Sequence, residues 1–350
     1  MRTCQVMFAR GFGGAERYFV DLSRELARRG HEVLAVCHPD GMARAHLTSM
    51  PGLEIAALRP LGVWDPFLPR RLRRLIAEFR PAVVQAHLAR ATRLAGKALA
   101  DTQVPLLSKT HNYVNLKYYR DVDVFLPTTR DQSAYLARQG ITPDRIHVIP
   151  NFSTLPTATP PADRPPAIVA MGRLVEKKGF SMLLAACAEL RRRGVALPPV
   201  LLAGDGPLRG ELQRAAGQLG VDDVAQFVGW QKDPAAFLDR GTLFVLPSLD
   251  EPFGIVVLEA MARGLPVVAT LTQGPREMLD SDSAWLVPPG DFNALAEALR
   301  EALAKPRVAR ARAARASERF QSLYAADVVV PQLLAIYKVV SASARHSGGA

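Results

Sequence analysis

The sequence predicts an α/β protein built from two doubly wound parallel-sheet domains that face each other across a cleft. Three observations carry this. The chain has 350 residues, more than one ordinary core organises, so two domains of about 150 to 180 residues are the natural division. Short apolar strand-like runs alternate with helical or loop segments through the first half, which calls for a parallel sheet. After the proline-rich stretch FSTLPTATPPADRPP, Phe152 to Pro166, the alternation starts again.

These signals place an N-terminal domain over residues 1–155, a linker over 156–166 and a C-terminal domain over 167–322. A terminal helix over 323–350 is expected to pack back toward the first domain before a flexible tail. In the first domain TCQVMFA reads as a strand, RGFGGAE as a glycine turn, and Arg17 to Arg29 as a helix with Phe19, Leu22 and Leu26 on one face. HEVLAVCH, AVVQAH, PLLSKTH, VDVFLPTT and RIHVIPN follow as strands. In the second domain the strands are AIVAMGRL, PPVLLAGDG, VAQFVGW, TLFVLPS and PVVAT. A helix beginning near Asp291 closes that domain, and Tyr324 to Ala344 is helical in pattern.

Composition narrows the function. The net charge of +11 points to anionic partners such as nucleotides, phospholipid surfaces or nucleic acid. Nucleic acid is set aside, because aromatic content is 7% and no zinc-finger, bZIP or RNA-binding signature occurs. No apolar run approaches the roughly 18 to 20 residues of a membrane span, and no signal peptide is read at the start, so a cytoplasmic protein is expected. Cys4, Cys37 and Cys187 match no metal spacing and read as small core residues in a reducing compartment.

Chemistry concentrates in LPSLDEPFGIVVLEAMARGLPVVAT, Leu246 to Thr270. Leu243 to Leu246 is a strand, Pro247 to Phe253 a turn, and Gly254 to Ala262 a helix whose apolar residues point in nearly every direction. Glu259 interrupts them. Burying even a neutral polar group without partners costs on the order of 2 to 7 kcal/mol, so either a neighbouring arginine or amide, or a ligand hydroxyl pair, must meet this carboxylate. Arg173 and Lys178, in MGRLVEKKG after the second domain's first strand, can neutralise a diphosphate without a metal; a solvated basic loop is the alternative. The amides opening the Gly254 helix form an anion site at the end of a strand in the same sheet. Two Asp-X-Asp triplets, Asp121-Val122-Asp123 and Asp280-Ser281-Asp282, read as a strand opening and a turn, so no metal is expected.

GGAERYFVDLSRELARRGHEV, GRLVEKKG, LAGDGP, FVGW, EPFGIVVLEAMARGLPVVAT and WLVPPGD stand in an order and spacing that resembles the retaining, family-four nucleotide-sugar glycosyltransferases. The resemblance covers nearly the whole chain. It implies the GT-B fold, two Rossmann-like domains, and a nucleotide-sugar donor, UDP- or GDP-linked, with no cofactor. It assigns Glu259 to the ribose hydroxyls, Glu251 to the donor sugar, and Arg173 and Lys178 to the diphosphate. Amides near Phe253, Gly254, Ile255 and Val256 would receive phosphate and sugar oxygens; Gly229 and Trp230 would lie beside the base. In the first domain Gly13 and Gly14 match the loop that approaches the diphosphate, and His111, in SKTHN, matches the family's histidine near the sugar. His87, in QAHLA, occupies a similar strand end. Two departures stand out: Asn151-Phe152 replaces the common Asn-Gly, and Gln273-Gly274-Pro275-Arg276-Glu277 replaces Gly-Gly-x-Pro-Glu.

The function so implied is sugar transfer to a hydroxyl of a cell-envelope saccharide or lipid-linked acceptor, for which loops Leu61 to Pro69 and Asn112 to Arg120 are the expected readers. A sugar-nucleotide epimerase or phosphorylase shares the fold. A non-catalytic basic protein binding membrane surfaces is the contrasting class, and the Arg173, Lys178, Glu251 and Glu259 set argues against it. GFGGAE fails as a dinucleotide fingerprint because Glu16 stands at the third glycine position. Finally, PRRLRRLIAEFRP, Pro69 to Pro81, forms a helix with Leu72, Leu75, Ile76 and Phe79 on one stripe. Arg70, Arg71, Arg73 and Arg74 surround it, an arrangement suited to peripheral attachment at the anionic cytoplasmic face of the inner membrane.

Overall fold

Strands form where the sequence offers three to six consecutive residues, most of which tolerate burial on both faces, the condition a parallel sheet imposes. The computed structural model describes residues 1–61, 65–160 and 164–346. The expected acceptor loop at 62–64, the linker at 161–163 and the tail at 347–350 lie outside the described residues. Two compact units result: Met1–Phe152 with Ala326–Ala350, and Ser153–Ala325.

The first unit contains β1 (Arg2–Met7), β2 (Glu32–Cys37), β3 (Leu53–Ala57), β4 (Val83–His87), β5 (Leu106–Thr110) and β6 (Val124–Pro127). They form a parallel sheet in the order β3-β2-β1-β4-β5-β6. The second contains β7 (Ile168–Met171), β8 (Val200–Ala203), β9 (Ala225–Gly229), β10 (Leu243–Leu246), β11 (Val267–Thr270) and β12 (Trp285–Val287), ordered β12-β11-β10-β7-β8-β9. In each sheet the chain winds outward, returns to the middle and winds the other way. The reversals fall between β1 and β4 and between β7 and β10, and such switch points open crevices at the carboxyl ends of their strands.

The expected strand RIHVIPN is not one. Residues 145–151 run beside β6 through a single bridge, Phe125 to Ile146, and two bonds in which His147 and Ile149 amides donate to the Phe125 and Pro127 carbonyls. Pro127 has no N–H to return, so the ladder stops. β3 and β12, which the apolar pattern did not reveal, are sheet edges.

The proline-rich connection is fastened to the second unit. Ala158 N–H donates to the Ala262 carbonyl at 2.9 Å, and Arg263 and Arg164 reach the Pro156 and Gly241 carbonyls. Where the chain leaves that unit, it passes its own entry: Ser153 N–H donates to the Tyr324 carbonyl at 3.3 Å, and Ser153 bridges Ala325.

The C-terminal helix, Ala326–His346, belongs to the first unit and packs on helix Gly14–Arg28 and on β4. Its window Ala326–Ser343 is long and apolar enough to cross a membrane by length and composition, at mean hydropathy 1.3, which the search for apolar runs overlooked. Val329, Val330, Leu333 and Tyr337 are buried, the side expected of a core helix. The arginine-rich helix spans Leu68–Phe79 and buries Leu68, Leu72, Ile76 and Phe79, with Leu75 half-buried. Arg70, Arg71, Arg73 and Arg74 are all exposed, as expected; Arg73 in addition donates to the Ala98 and Ala100 carbonyls, at 2.8 and 2.5 Å, and Arg71 to the Arg59 carbonyl at 3.3 Å.

Candidate functional site

In the second unit the segments after β7 and β10 are stitched together by backbone. Leu249 and Asp250 amides both donate to the Lys177 carbonyl, at 2.8 and 3.1 Å. Gly179 lies against the other strand end with φ +64°, and a Cβ there would stand 2.0 Å from the Pro247 carbonyl oxygen. Only glycine fits this approach. The result brings Lys178 to Glu251, whose Oε2 accepts from the lysine Nζ and, at 3.5 Å, from Ser248 Oγ. Glu251 is 5% exposed and Ser248 fully buried, so the carboxylate has left water and depends on the lysine.

Gly254 caps the following helix, Ile255–Ala262, at φ +93°, again a conformation suited to glycine. The first amides of a helix have no partner within it, and those of Ile255 and Val256 follow Gly254, where a Cβ would stand 3.1 Å from Glu251 Cγ. Phe253 and Ile255 are buried, Val256 half-buried. Glu259 follows Ile255 by four residues on the same face and is 2% exposed, as the apolar surroundings require.

Arg173 leaves the end of β7 with an exposed side chain. Gly229 and Trp230 stand apart, at the end of edge strand β9; Trp230 is exposed, and the Gly229 carbonyl accepts from Gly204 N–H at 2.8 Å. The divergent stretch 273–277 is helical, and its Gly274 amide donates to the Glu251 carbonyl at 3.0 Å. Arg276 folds back onto the Leu271 carbonyl.

In the first unit Gly13 and Gly14 are exposed at the start of helix Gly14–Arg28, beyond the end of β1. The Glu16 carboxylate accepts from Gly13 N–H at 2.9 Å. His87 ends β4 and His111 follows β5, so both lie at the carboxyl edge near the switch point. His87 Nδ1 is 3.2 Å from His111 Nε2. Burial holds both imidazoles in the neutral form: the His87 pKa is lowered to about 3, and that of His111 falls well below the usual range. Burial is the larger cause for both, and the neighbouring Lys109 pushes the same way, joined for His111 by His87; Lys109 is itself held well below the usual ammonium range by burial.

Beneath the histidines lies a polar network that no sequence motif marked. Gln5, Gln85, Lys109 and Tyr337 are fully buried. Lys109 donates to the Ile149 carbonyl and lies 5.1 Å above the Tyr18 ring. The Asp-X-Asp triplets serve the fold: Asp123 accepts from Leu106 N–H at 2.7 Å, and Asp280 accepts from Ser283 and pairs with Arg319 at 3.1 Å.

Two doubly wound sheets with polar groups gathered at each switch point define the class of two-domain α/β enzymes that handle anionic substrates. Comparison with known proteins gives the family. Residues 12–153 match the model described as Glycosyltransferase Family 4, and residues 152–319 that described as Glycosyl transferases group 1. The lipopolysaccharide core biosynthesis glycosyltransferase LpsD of Rhizobium meliloti is 31% identical over 93% of this chain and 95% of its own. LpsE of the same organism is 33% identical over 83% and 86%. Among solved structures, Anabaena Alr3699/HepE in complex with UDP superposes with a TM-score of 0.82 at 20% identity, covering 97% of this chain and all of that one. The chain belongs to glycosyltransferase family 4, with the GT-B fold.

Proposed function

We propose that the protein moves a sugar from a UDP- or GDP-linked donor to a hydroxyl of a cell-envelope saccharide or lipid-linked acceptor, with retention of configuration and without a metal. The observation that carries this reading is the meeting of Lys178, Glu251 and the amino end of helix Ile255–Ala262 at the β7/β10 switch point. Such a constellation suits a diphosphate. As the bond from the anomeric carbon to phosphate breaks, negative charge grows on the leaving oxygen. Lys178, Arg173 and the helix amides stabilise that charge more in the transition state than in the ground state. The acceptor oxygen bonds to the same face of the carbon, and its proton passes to the departing phosphate.

Glu259 is assigned to the ribose hydroxyls, Glu251 to the sugar, and Gly229 with Trp230 to the base. Gly13 and Gly14 leave room for the diphosphate, and His111 orients the sugar. The names of LpsD and LpsE, and that of the lipopolysaccharide outer core galactosyltransferase WaaB, which shares the fold at a TM-score of 0.73, support an envelope acceptor. Exposed Arg70 and Arg74 on helix Leu68–Phe79 support reversible attachment to an anionic membrane at its cytoplasmic face.

A thermal-shift panel of nucleotide sugars tests the donor, since a ligand binding the folded state raises its stability. Turnover with the selected donor, followed by the anomeric configuration of the product, tests the reaction. Transfer is expected to survive EDTA. Loss restored by manganese would sink the metal-free route, and inverted product would sink retention.

A further inference from the structure

Four fully buried side chains, Gln5, Gln85, His87 and Tyr337, form one hydrogen-bonded set beneath His111. Gln5 Nε2 donates to the Tyr337 hydroxyl at 3.1 Å, and that hydroxyl donates to Gln85 Oε1 at 2.7 Å. The Gln5 amide is thereby oriented, and its Oε1 faces His87 Nε2 at 3.1 Å. An amide oxygen only accepts, so His87 carries its proton on Nε2. Gln85 Nε2, at 3.4 Å from the same nitrogen, is the weaker neighbour. A neutral imidazole protonated on Nε2 has a bare Nδ1, and the 3.2 Å contact to His111 Nε2 then requires His111 to be the donor. His111 is left with a bare Nδ1.

That nitrogen is shielded from solvent and has no hydrogen-bond partner among the described residues. The Tyr18 ring stands edge-on to His111, centroids 5.4 Å apart, and its hydroxyl is likewise buried and unpartnered. Native interiors rarely leave such groups unpaired without a reason.

We propose that His87 is a positioning residue: it holds His111 in the Nε2–H tautomer, which leaves His111 Nδ1 as the acceptor for a ligand hydroxyl. Tyr337, on the C-terminal helix, fixes the glutamines that set this direction. The assignment of the ligand as a donor-sugar hydroxyl rests on the reading of His111 given above; the tautomer does not.

The test is a long-range proton–nitrogen correlation spectrum of the protein labelled with 15N-histidine, with the His111 signals identified by their absence in His111→Gln. In the wild type His111 is expected to carry its proton on Nε2 and none on Nδ1. A proton on Nδ1 would mean that both amides and both rings run the other way, and overturns the proposal without any variant. In His87→Leu the His111 signals should move to a mixture of tautomers. Turnover should fall roughly tenfold, the scale of one neutral hydrogen bond, with nucleoside-diphosphate affinity unchanged. His87→Asn, whose Oδ1 can accept from His111 Nε2–H, should restore both. An unchanged tautomer in His87→Leu removes His87 from the role. Full turnover in His111→Ala would instead remove His111 from sugar binding, while leaving the tautomer result standing.

Discussion

All seven histidines of the chain lie in the first unit, and the second, Ser153–Ala325, has none. The first switch point is neutral and buried: two imidazoles, two amides and a phenol, joined by hydrogen bonds. The second is an ion pair at the mouth of a helix. The contrast teaches that one strand order can host opposite electrostatics, a neutral hydrogen-bonded set at one switch point and a charged pair at the other. Each should therefore fail in its own way.

The largest effect is expected where charge is removed. Lys178→Ala should lower transfer about 10²- to 10³-fold in kcat, the scale found when one stabilising donor is deleted from a reacting centre. It should also lower the melting temperature, because the buried Glu251 carboxyl loses its lysine and, among the described residues, its side chain keeps the distant Ser248 hydroxyl. Undiminished kcat would place the diphosphate elsewhere.

Next comes Glu259→Ala, for which titration calorimetry should show nucleoside-diphosphate affinity reduced roughly 10- to 100-fold, the range for hydrogen bonds to a charged group. Glu251→Ala should damage transfer more than that affinity. Equal losses of affinity in the two variants would erase the division between ribose and sugar.

Acid should separate the units. Burial lowers the pKa values of His31, His38, His46, His87 and His111. For a histidine with a depressed folded pKa, the unfolded chain takes up the proton first, near pH 6.5. Stability is therefore full above that value and falls as pH drops toward the folded pKa. His87, lowered to about 3, alone accounts for about 1.4 kcal/mol per pH unit, or roughly 2 kcal/mol by pH 5. The second unit's depressed groups are carboxylates, such as Glu189, held down to about 2 by hydrogen bonds from Arg192 and Arg193. Their contribution is lost only below about pH 4.5. Hydrogen exchange read by mass spectrometry, corrected for intrinsic rates, should show peptides of 1–152 opening at pH 5 while those of 167–322 stay protected. The reverse order would break the comparison.

The smallest effect concerns Arg70 and Arg74. Changing both to glutamine should weaken cosedimentation with anionic vesicles by about 1 kcal/mol per residue, an effect that salt should abolish. Equal partitioning of variant and wild type would leave helix Leu68–Phe79 without a membrane role.

Both sheets were legible in the apolar runs because parallel strands must be apolar on both sides. β3 was not: it is an edge strand, and its Glu54 is exposed. RIHVIPN misled because alternation says nothing about whether the neighbouring strand can return a bond, and Pro127 cannot. At the site, the signal that marked Glu259, a polar residue inside a buried run, also stands at Gln5 in TCQVM, Gln85 in VVQAH and Lys109 in LLSKT. It would have found three members of the first unit's network. Tyr337 had no such mark, since its partners lie 252 and 332 residues away. The partners of Arg73 were hidden for a similar reason: helical periodicity gives its outward direction but not the Ala98 and Ala100 carbonyls within its reach.

The pairing of Ser153 with Ala325 makes the second unit an insertion: a cassette whose two ends leave the parent domain side by side. Its sheet is one uninterrupted stretch of chain, whereas the parent domain is split and recovers its last helix only after the cassette has been synthesised. Joining Phe152 directly to Ala326 would preserve all six strands of the parent together with Tyr337. Stopping synthesis at Phe152 would leave Gln5 and Gln85 facing a missing phenol. Excision and closure are therefore different operations from truncation, although both delete the same cassette.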